Sequence, residues 1–217
     1  MTVTGIVLAG GRSTRMGRDK ASILFGAETL LERAIRIVGE VADEVVVVAP
    51  GGSNPFVVHR SATREGGVGS PVRIVHDAVE HQGPLAGIAA GLSASHSDVN
   101  IVVACDMPLI KPAVLRRLVE LLGEADICVA IVDEHASPLC AVYRSTVAGV
   151  AQQLLAGGER RVMALLDRVQ TERVEAAMFR DLDPDLDSFV SCNTPGQLEA
   201  AALKCRPPGT TSLSTPS

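Results

Sequence analysis

The chain has 217 residues, of which 47% are hydrophobic and only 2% are aromatic. A core of Val, Leu, Ile and Ala is typical of parallel sheets covered by helices, and the length fits one such domain. The formal net charge of -5 argues against an extended basic surface for polymeric nucleic acid. No segment has the pattern of a secretory signal or the length of a membrane span, so we expect a cytoplasmic protein without a membrane partner.

Apolar, β-branched runs recur along the chain as "TGIVLA", "DEVVVVA", "VRIVHD", "NIVVACD" and "ADICVAIV". Segments with helical periodicity separate most of these runs, beginning with "AETLLERAIRIVGEVAD", in which the apolar positions recur at steps of three and four residues. Alternation of strands and helices predicts an α/β fold with a mostly parallel central sheet.

Helix start signals place further helices between and after these strands. Pro84 and Pro112 suit the first turns of "PLAGIAAGLSASH" and "KPAVLRRLVELLGEA", and a third helix is predicted in "STVAGVAQQLLAGG". Near the C-terminus, Thr194 and Gln197 have the spacing of a capping box around Pro195. We expect one domain over residues 1–204, a loop insertion in "GGSNPFVVHRSATREGGVGSP" and a disordered tail over residues 205–217.

The stretch "LAGGRSTRMGRDK" follows the first predicted strand and combines glycines with cationic side chains. Glycines let backbone N–H groups approach a phosphate, and cations neutralise its charge. The stretch is not a Walker A loop, because Arg18 follows Gly17 and no Ser or Thr follows Lys20, and it contains no G-x-G-x-x-G. By itself it is compatible with an anion site or with a solvated turn after a strand.

This stretch resembles the L-A-G-G-x(n)-R-M-G-x-D-K signature of nucleotidyltransferases and is especially similar to that of the MobA-type molybdenum cofactor guanylyltransferases. Further segments resemble the same family in the same order: "HDAVEHQGPLAGIAAGL", "VVACDMPLI", "SPLCAVY", "GGERRVMALL" and "SCNTPGQL". The resemblance implies a Rossmann-like three-layer fold and a Mg²⁺-dependent enzyme. It implies transfer of GMP from GTP to molybdenum cofactor, which gives the guanine dinucleotide cofactor and pyrophosphate.

On the donor side, the resemblance implies backbone contacts from Leu8, Ala9, Gly10 and Gly11 to the nucleotide. It also implies that two cations, Arg15 and Lys20, contact the triphosphate. There they would stabilise the charge that develops on the α-phosphoryl group and on the departing pyrophosphate.

Two aspartates follow predicted strands, at the edge of the sheet where α/β proteins bind ligands. The resemblance makes Asp106 the Mg²⁺ ligand and a catalytic residue, although an Asp before Met107 and Pro108 is also compatible with a simple chain turn. It makes Asp77 a nucleotide-binding residue beside a wall that includes Gly83, with a turn-forming Asp as the alternative.

On the acceptor side, the resemblance implies that Arg160, Arg161 and Asn193 contact the phosphorylated pterin. A solvated helix start is the alternative for each arginine, and a residue leading into a capped helix is the alternative for Asn193. Ser191 stands where the family often has a second Asn. The histidines and cysteines have no spacing typical of a metal or redox site.

Val48 departs from the family, because well-known members have Asn at the end of the second strand. Transfer of CMP to the same cofactor is therefore an alternative, as is nucleotidyl transfer to another phosphorylated metabolite such as a sugar 1-phosphate. A nucleotide-binding regulator without catalysis is the non-enzymatic alternative. For the enzyme, we expect GTP and molybdenum cofactor as substrates and transient contacts with cofactor-synthesis proteins and molybdoenzymes.

Overall fold

A computed structural model describes residues 1–9, 20–50, 70–76 and 83–205. Nine strands lie within these residues, numbered in chain order. They are β1 (Val3–Leu8), β2 (Leu24–Phe25), β3 (Glu28–Thr29), β4 (Glu44–Ala49), β5 (Val72–His76), β6 (Val99–Ala104), β7 (Ile127–Val132), β8 (His135–Arg144) and β9 (Thr171–Glu175). Strands β2 and β3 form a short hairpin, and the other strands form a single sheet.

The sheet has seven strands in the order β5-β4-β1-β6-β8-β7-β9. Strand β8 runs antiparallel to β6 and β7, whereas every other neighbouring pair is parallel. This arrangement confirms the predicted mostly parallel sheet. The apolar runs did not identify β8 and β9, because β8 begins with partly exposed residues and β9 buries only Val174.

The helices of the described residues are α1 (Leu30–Gly39), α2 (Pro84–Ala94), α3 (Pro112–Leu121), α4 (Val147–Ala156), α5 (Val162–Leu166) and α6 (Pro195–Lys204). Helix α1 begins at Leu30, the first residue of the apolar periodicity, because Thr29 caps it: Glu32 N donates to Thr29 Oγ1 at 3.1 Å, and Thr29 N donates to Glu32 Oε2 at 2.8 Å. The capping box predicted for α6 is confirmed by reciprocal hydrogen bonds between Thr194 and Gln197.

Helices cover both faces of the sheet and create two separate cores. Helices α1 and α3 pack on one face, and α2, α4 and α5 pack on the other. Glycines permit the closest approaches: a Cβ on Gly5 would lie 2.0 Å from Val38 Cγ1, and one on Gly91 would lie 2.4 Å from Ile6 Cγ2. Because α1 and α2 therefore press on β1 from opposite sides, this strand is fixed in the middle of three layers.

Within the described ranges, no helix is both long enough and apolar enough to cross a membrane. Most of the predicted insertion after β4 and residues 206–217 of the predicted tail lie outside the described residues. The single-domain boundary at residue 204 stays a prediction.

Candidate functional site

The candidate site lies where the central parallel strands β1 and β6 end. Leu8 pairs with Ala104 in the register of these strands, and Cys105 N donates to Leu8 O at 3.1 Å. On the other side of β1, Ala9 N donates to Val48 O at 2.9 Å. Strands β1 and β6 therefore end side by side. Asp106 follows β6 at the carboxyl edge of the sheet, where α/β folds bind ligands.

Three residues from distant parts of the sequence meet at this edge. Lys20 Nζ lies 2.7 Å from Asp106 Oδ2 and 2.6 Å from Asn193 Oδ1. The side chains of Lys20 and Asp106 are only 13% and 15% exposed, so solvent screens their ion pair less than it screens a surface pair. We call Lys20, Asp106 and Asn193 the lysine cluster. In this cluster, Asp106 Oδ2 and Asn193 Oδ1 both contact the Lys20 ammonium.

The backbone around the lysine cluster is held by the segment that precedes α6. Cys192 N donates to Asp106 O at 2.7 Å, which ties this segment to the loop after β6. Gln197, the capping residue of α6, also accepts a hydrogen bond from Asn193 N at 2.7 Å. The sequence predicted Gln197 only as part of the capping box of α6. It predicted no role at the site for Cys192, because Cys192 contacts Asp106 through its backbone N–H group and not through its side chain.

The Cys192 side chain is buried at this junction. Burial raises the pKa of its thiol, and the neighbouring negative charge of Asp106 raises that pKa further. The thiol therefore stays protonated at neutral pH and is a poor nucleophile.

The oxygen atoms of the lysine cluster suit a hard divalent cation. Asp106 supplies a carboxylate and Asn193 an amide oxygen, and both kinds of ligand suit Mg²⁺. Within the part of the chain that the structure describes, no group of three or more His, Cys, Asp or Glu residues could hold a metal ion. Mg²⁺ usually takes only one or two carboxylates from a protein and keeps its other contacts for water and phosphate.

A second group of predicted residues lies at the start of α2. Gly83 has a φ of +81° in the N-cap position, and a Cβ on Gly83 would lie 3.7 Å from the carbonyl oxygen of Arg160. The start of α2 therefore adjoins the loop formed by Glu159, Arg160 and Arg161, which we call the arginine loop. A left-handed φ of this kind favours glycine, which explains the residue type at position 83.

The arginine loop is organised by its own acidic residue. Glu159 Oε1 accepts hydrogen bonds from the backbone N–H groups of Arg160 and Arg161 at 2.8 and 2.9 Å, and Glu159 Oε2 lies 2.7 Å from Arg161 Nη2. The hydrogen bonds from the Arg161 side chain, and then from the two backbone N–H groups, lower the pKa of Glu159 to about 2. Arg160 Nη1 donates to Leu155 O at 2.9 Å. Both guanidinium groups thus lie on an exposed loop.

The structure therefore divides the predicted site residues into two groups. It brings Lys20, Asp106 and Asn193 together, and it sets Gly83 beside Arg160. Within the described residues, no hydrogen bond or ion pair joins these two groups. Asn193, predicted for the acceptor side, contacts the donor-side residue Lys20. Four predicted site residues lie outside the described residues: Gly10, Gly11, Arg15 and Asp77.

Val48, the residue that departs from the family, belongs to the core. It is 3% exposed, and a Cβ on Gly91 would lie 3.1 Å from Val48 Cγ2. Its side chain therefore packs beneath α2. An apolar side chain at this position fits the surrounding contacts, which include Ile6 and Leu92 in the same core.

Comparisons with known proteins show which family this chain resembles. A family model described as the MobA-like NTP transferase domain matches residues 5–174. "Molybdenum cofactor guanylyltransferase" from Desulfosudis oleivorans is 31% identical over 92% of this chain and 94% of its own length. "Probable molybdenum cofactor guanylyltransferase" from Methanosarcina mazei is 34% identical over 90% and 88%.

A solved structure has the same fold. It is that of molybdopterin-guanine dinucleotide biosynthesis protein A from Archaeoglobus fulgidus, with a TM-score of 0.74 and 26% sequence identity. The alignment covers 93% of this chain and 98% of that protein. The predicted three-layer nucleotidyltransferase fold is therefore confirmed.

Proposed function

The chain belongs to the MobA-like NTP transferase family, and from this premise we propose that it transfers GMP from GTP to molybdenum cofactor. The products are the guanine dinucleotide cofactor and pyrophosphate. The observation that carries the proposal is the lysine cluster, in which Lys20 Nζ lies within 2.7 Å of both Asp106 Oδ2 and Asn193 Oδ1. A cation and oxygen ligands at the carboxyl edge of a parallel sheet suit the binding of a triphosphate.

The reaction is a direct displacement at phosphorus. A phosphate oxygen of the acceptor forms a bond to the α-phosphorus of GTP, and the bond from that phosphorus to the bridging oxygen breaks, so the electron pair leaves with pyrophosphate. Negative charge builds up on the leaving group, and the Lys20 ammonium stabilises it. Because no covalent nucleophile takes part, the protein acts by positioning the substrates and by electrostatic stabilisation.

Proteins of this family generally use a divalent metal ion, and we assign Mg²⁺ to this one. Asp106 would hold the ion, and Asn193 Oδ1 would be a second oxygen ligand, since the oxygen atoms of both side chains contact Lys20 Nζ. When bound, Mg²⁺ would neutralise charge on the phosphate oxygens. Lys20, beside Asp106, would add a second positive charge for the triphosphate.

The remaining donor contacts follow the family pattern. Backbone atoms of Leu8 and Ala9, together with Gly10 and Gly11, are assigned to the nucleotide, and Arg15 to its triphosphate. Asp77 is assigned to the purine edge or to the ribose hydroxyls, which a carboxylate can accept from. The burial of Val48 beneath α2 means that base selection depends on other contacts.

The arginine loop is assigned to the acceptor. Arg160 and Arg161 offer guanidinium groups that can bind a phosphate through paired hydrogen bonds. The loop adjoins Gly83 at the start of α2 and is exposed enough to meet a large ligand. The proposal places the reaction in the cytoplasm, with transient contacts to cofactor-synthesis proteins and to the molybdoenzymes that receive the product.

Pyrophosphate release tests the proposed function. The full chain is incubated with Mg²⁺ and each of the four nucleoside triphosphates, with molybdenum cofactor, with a sugar 1-phosphate, or without an acceptor. We expect release only with GTP and molybdenum cofactor. A preference for CTP would support the cytidylyl alternative, and release with the sugar phosphate would support a different acceptor. No release under any pairing would overturn the enzymatic proposal.

A further inference from the structure

Arg33, in α1, contacts two segments that follow Lys20 and Asp106 in the chain, the hairpin of β2 and β3 and the loop after β6. Its Nε donates to Pro108 O at 2.5 Å, and its Nη1 donates to Glu28 Oε1 at 2.9 Å. Its Cζ lies 5.0 Å from the centre of the Phe25 ring, which is within the range of a cation–π contact. The side chain is 20% exposed, so its planar group is held on several sides by neighbouring residues.

The first of these partners is the hairpin of β2 and β3, which contains both Phe25 and Glu28. The hairpin follows directly after the turn that carries Lys20: Ile23 N donates to Lys20 O at 3.1 Å, and Leu30 N donates to Ile23 O at 2.9 Å. A shift of the hairpin is therefore transmitted to Lys20 through a short, hydrogen-bonded stretch of chain.

The second partner is the loop after β6, where Pro108 lies two residues after Asp106. This loop is held at other points as well, because Asp106 O accepts from Cys192 N at 2.7 Å and Lys111 N donates to Ser188 Oγ at 3.1 Å. Proline has a fixed φ, so few free torsions separate the Arg33 contact from the Asp106 side chain. Arg33 thus fixes the middle of the loop.

We propose that Arg33 is a positioning residue, which sets the separation of Lys20 and Asp106 by joining the hairpin to the loop. The inference rests on the proposed function, in which these two residues act on the same triphosphate. An Arg is suited to this task because its rigid fork can donate in two directions at once. A Lys could neutralise Glu28 but could not maintain both hydrogen bonds in the same geometry.

Arg36 provides a matched control on the same helix. Its Nη2 lies 2.7 Å from Glu28 Oε1, so it shares the acidic partner of Arg33. Its other described partner is Glu40 at 3.4 Å, and its side chain is 52% exposed. Removing Arg36 therefore perturbs Glu28 and α1 without removing a hydrogen bond to the loop after β6.

The test compares Arg33→Gln, Arg33→Lys and Arg36→Gln in the full chain. In turnover assays, we expect both Arg33 variants to lower kcat about tenfold to a hundredfold, because small misplacements of catalytic groups have effects of this size. The KM for GTP should stay within about threefold of the parent value, and Arg36→Gln should leave both parameters within about twofold. In a Lys20→Met background, Arg33→Gln should add little further loss of kcat, because Arg33 acts by positioning Lys20 against Asp106.

A second measurement needs no substrate. Hydrogen exchange at the amide of Lys111 and through the loop after β6 should become faster in Arg33→Gln and Arg33→Lys but not in Arg36→Gln. Thermal unfolding of all three variants identifies any general loss of the fold, and Arg33→Lys is the milder change if Arg33→Gln unfolds.

The two measurements separate the failure of this inference from failure of the proposed function. Equal kcat values for the Arg33 and Arg36 variants would overturn the inference, and so would equal exchange in the loop. If the parent protein released no pyrophosphate with any nucleotide, the proposed function would fail. In that case, faster hydrogen exchange confined to the Arg33 variants would still show that Arg33 holds the loop after β6.

Discussion

The lysine cluster and the arginine loop are built in opposite ways. In the lysine cluster, the contacting residues are 86 and 173 positions apart, and three segments of the fold must meet to form it. In the arginine loop, Glu159 holds residues one and two positions away. Arg161 is 78% exposed, whereas Lys20 is 13% exposed. One group therefore depends on the whole fold, and the other on local hydrogen bonds.

This difference matches the roles proposed for the two groups. Stabilising a transition state requires charges that are already in place and shielded from water. Binding a large acceptor that must enter and leave requires groups that stay accessible, at the expense of rigidity. We therefore expect substitutions in the lysine cluster to act mainly on kcat, and substitutions in the arginine loop to act mainly on the KM for the acceptor.

The largest effect is expected for Asp106→Asn. The substitution removes the charge that would hold Mg²⁺, and turnover should fall about a thousandfold or more. The fold should be retained, because Cys192 bonds to the backbone of Asp106 and not to its carboxylate. Steady-state pyrophosphate release and circular dichroism measure these two outcomes.

Asp98 is the matched control, since it lies just before β6 and Asp106 lies just after it. Its Oδ2 pairs with Arg144 Nη1 at 2.5 Å at the opposite edge of the sheet. Asp98→Asn should keep turnover within about twofold of the parent value. Equal turnover in Asp106→Asn and the parent protein would remove Asp106 from the mechanism.

Lys20→Met should have the next largest effect, a loss of about a hundredfold in kcat, because an electrostatic contact to the leaving group is removed. Lys204→Met removes an exposed ammonium that pairs with Asp187 and should change kcat by less than about twofold. Similar losses in both variants would mean that general charge, rather than the position of Lys20, matters for the reaction.

Some of the structural features behind these predictions could be predicted from the sequence, and others could not. Helix starts at Pro84, Pro112 and Thr194 were predictable, because capping and proline effects are local. The placement of Asp106 after a buried strand followed from hydrophobic pattern and the family resemblance. The contact between Lys20 and Asn193 did not follow, since it depends on tertiary packing between α6 and the hairpin.

That packing explains why the predicted acceptor residue contacts the donor side. Leu198 and Ala201 of α6 and the neighbouring Cys192 pack against Phe25 and Leu30 in a small separate core. No local pattern pairs an alanine in one helix with a phenylalanine far away in the sequence. The arginine loop was recognised only as a family segment, because the hydrogen bonds that Glu159 accepts from adjacent N–H groups do not reveal which ligand the loop binds.

Arg161→Gln tests the role of the arginine loop and should weaken binding of the acceptor. We expect the KM for molybdenum cofactor to rise about tenfold, the size expected for losing one charge-assisted hydrogen bond, with the KM for GTP unchanged. Arg173→Gln is the control, because Arg173 forms a comparable exposed pair with Asp167 at 2.9 Å. A rise in the KM for GTP instead would assign Arg161 to the donor.

The last and smallest expected effect is a local change in the arginine loop when Glu159 is protonated. Its pKa is lowered from 4.5 to about 2 in the folded protein, so its hydrogen bonds are fully formed above pH 4.5 and are lost as the pH falls towards 2. The amide proton resonances of Arg160 and Arg161 should therefore titrate with an apparent pKa near 2 rather than 4.5. In Glu159→Gln, these resonances should lack the titration. A midpoint near 4.5 in the parent protein would show that the arginine loop is not held by Glu159 in solution, and its arginines would then be free to reorient before the acceptor binds.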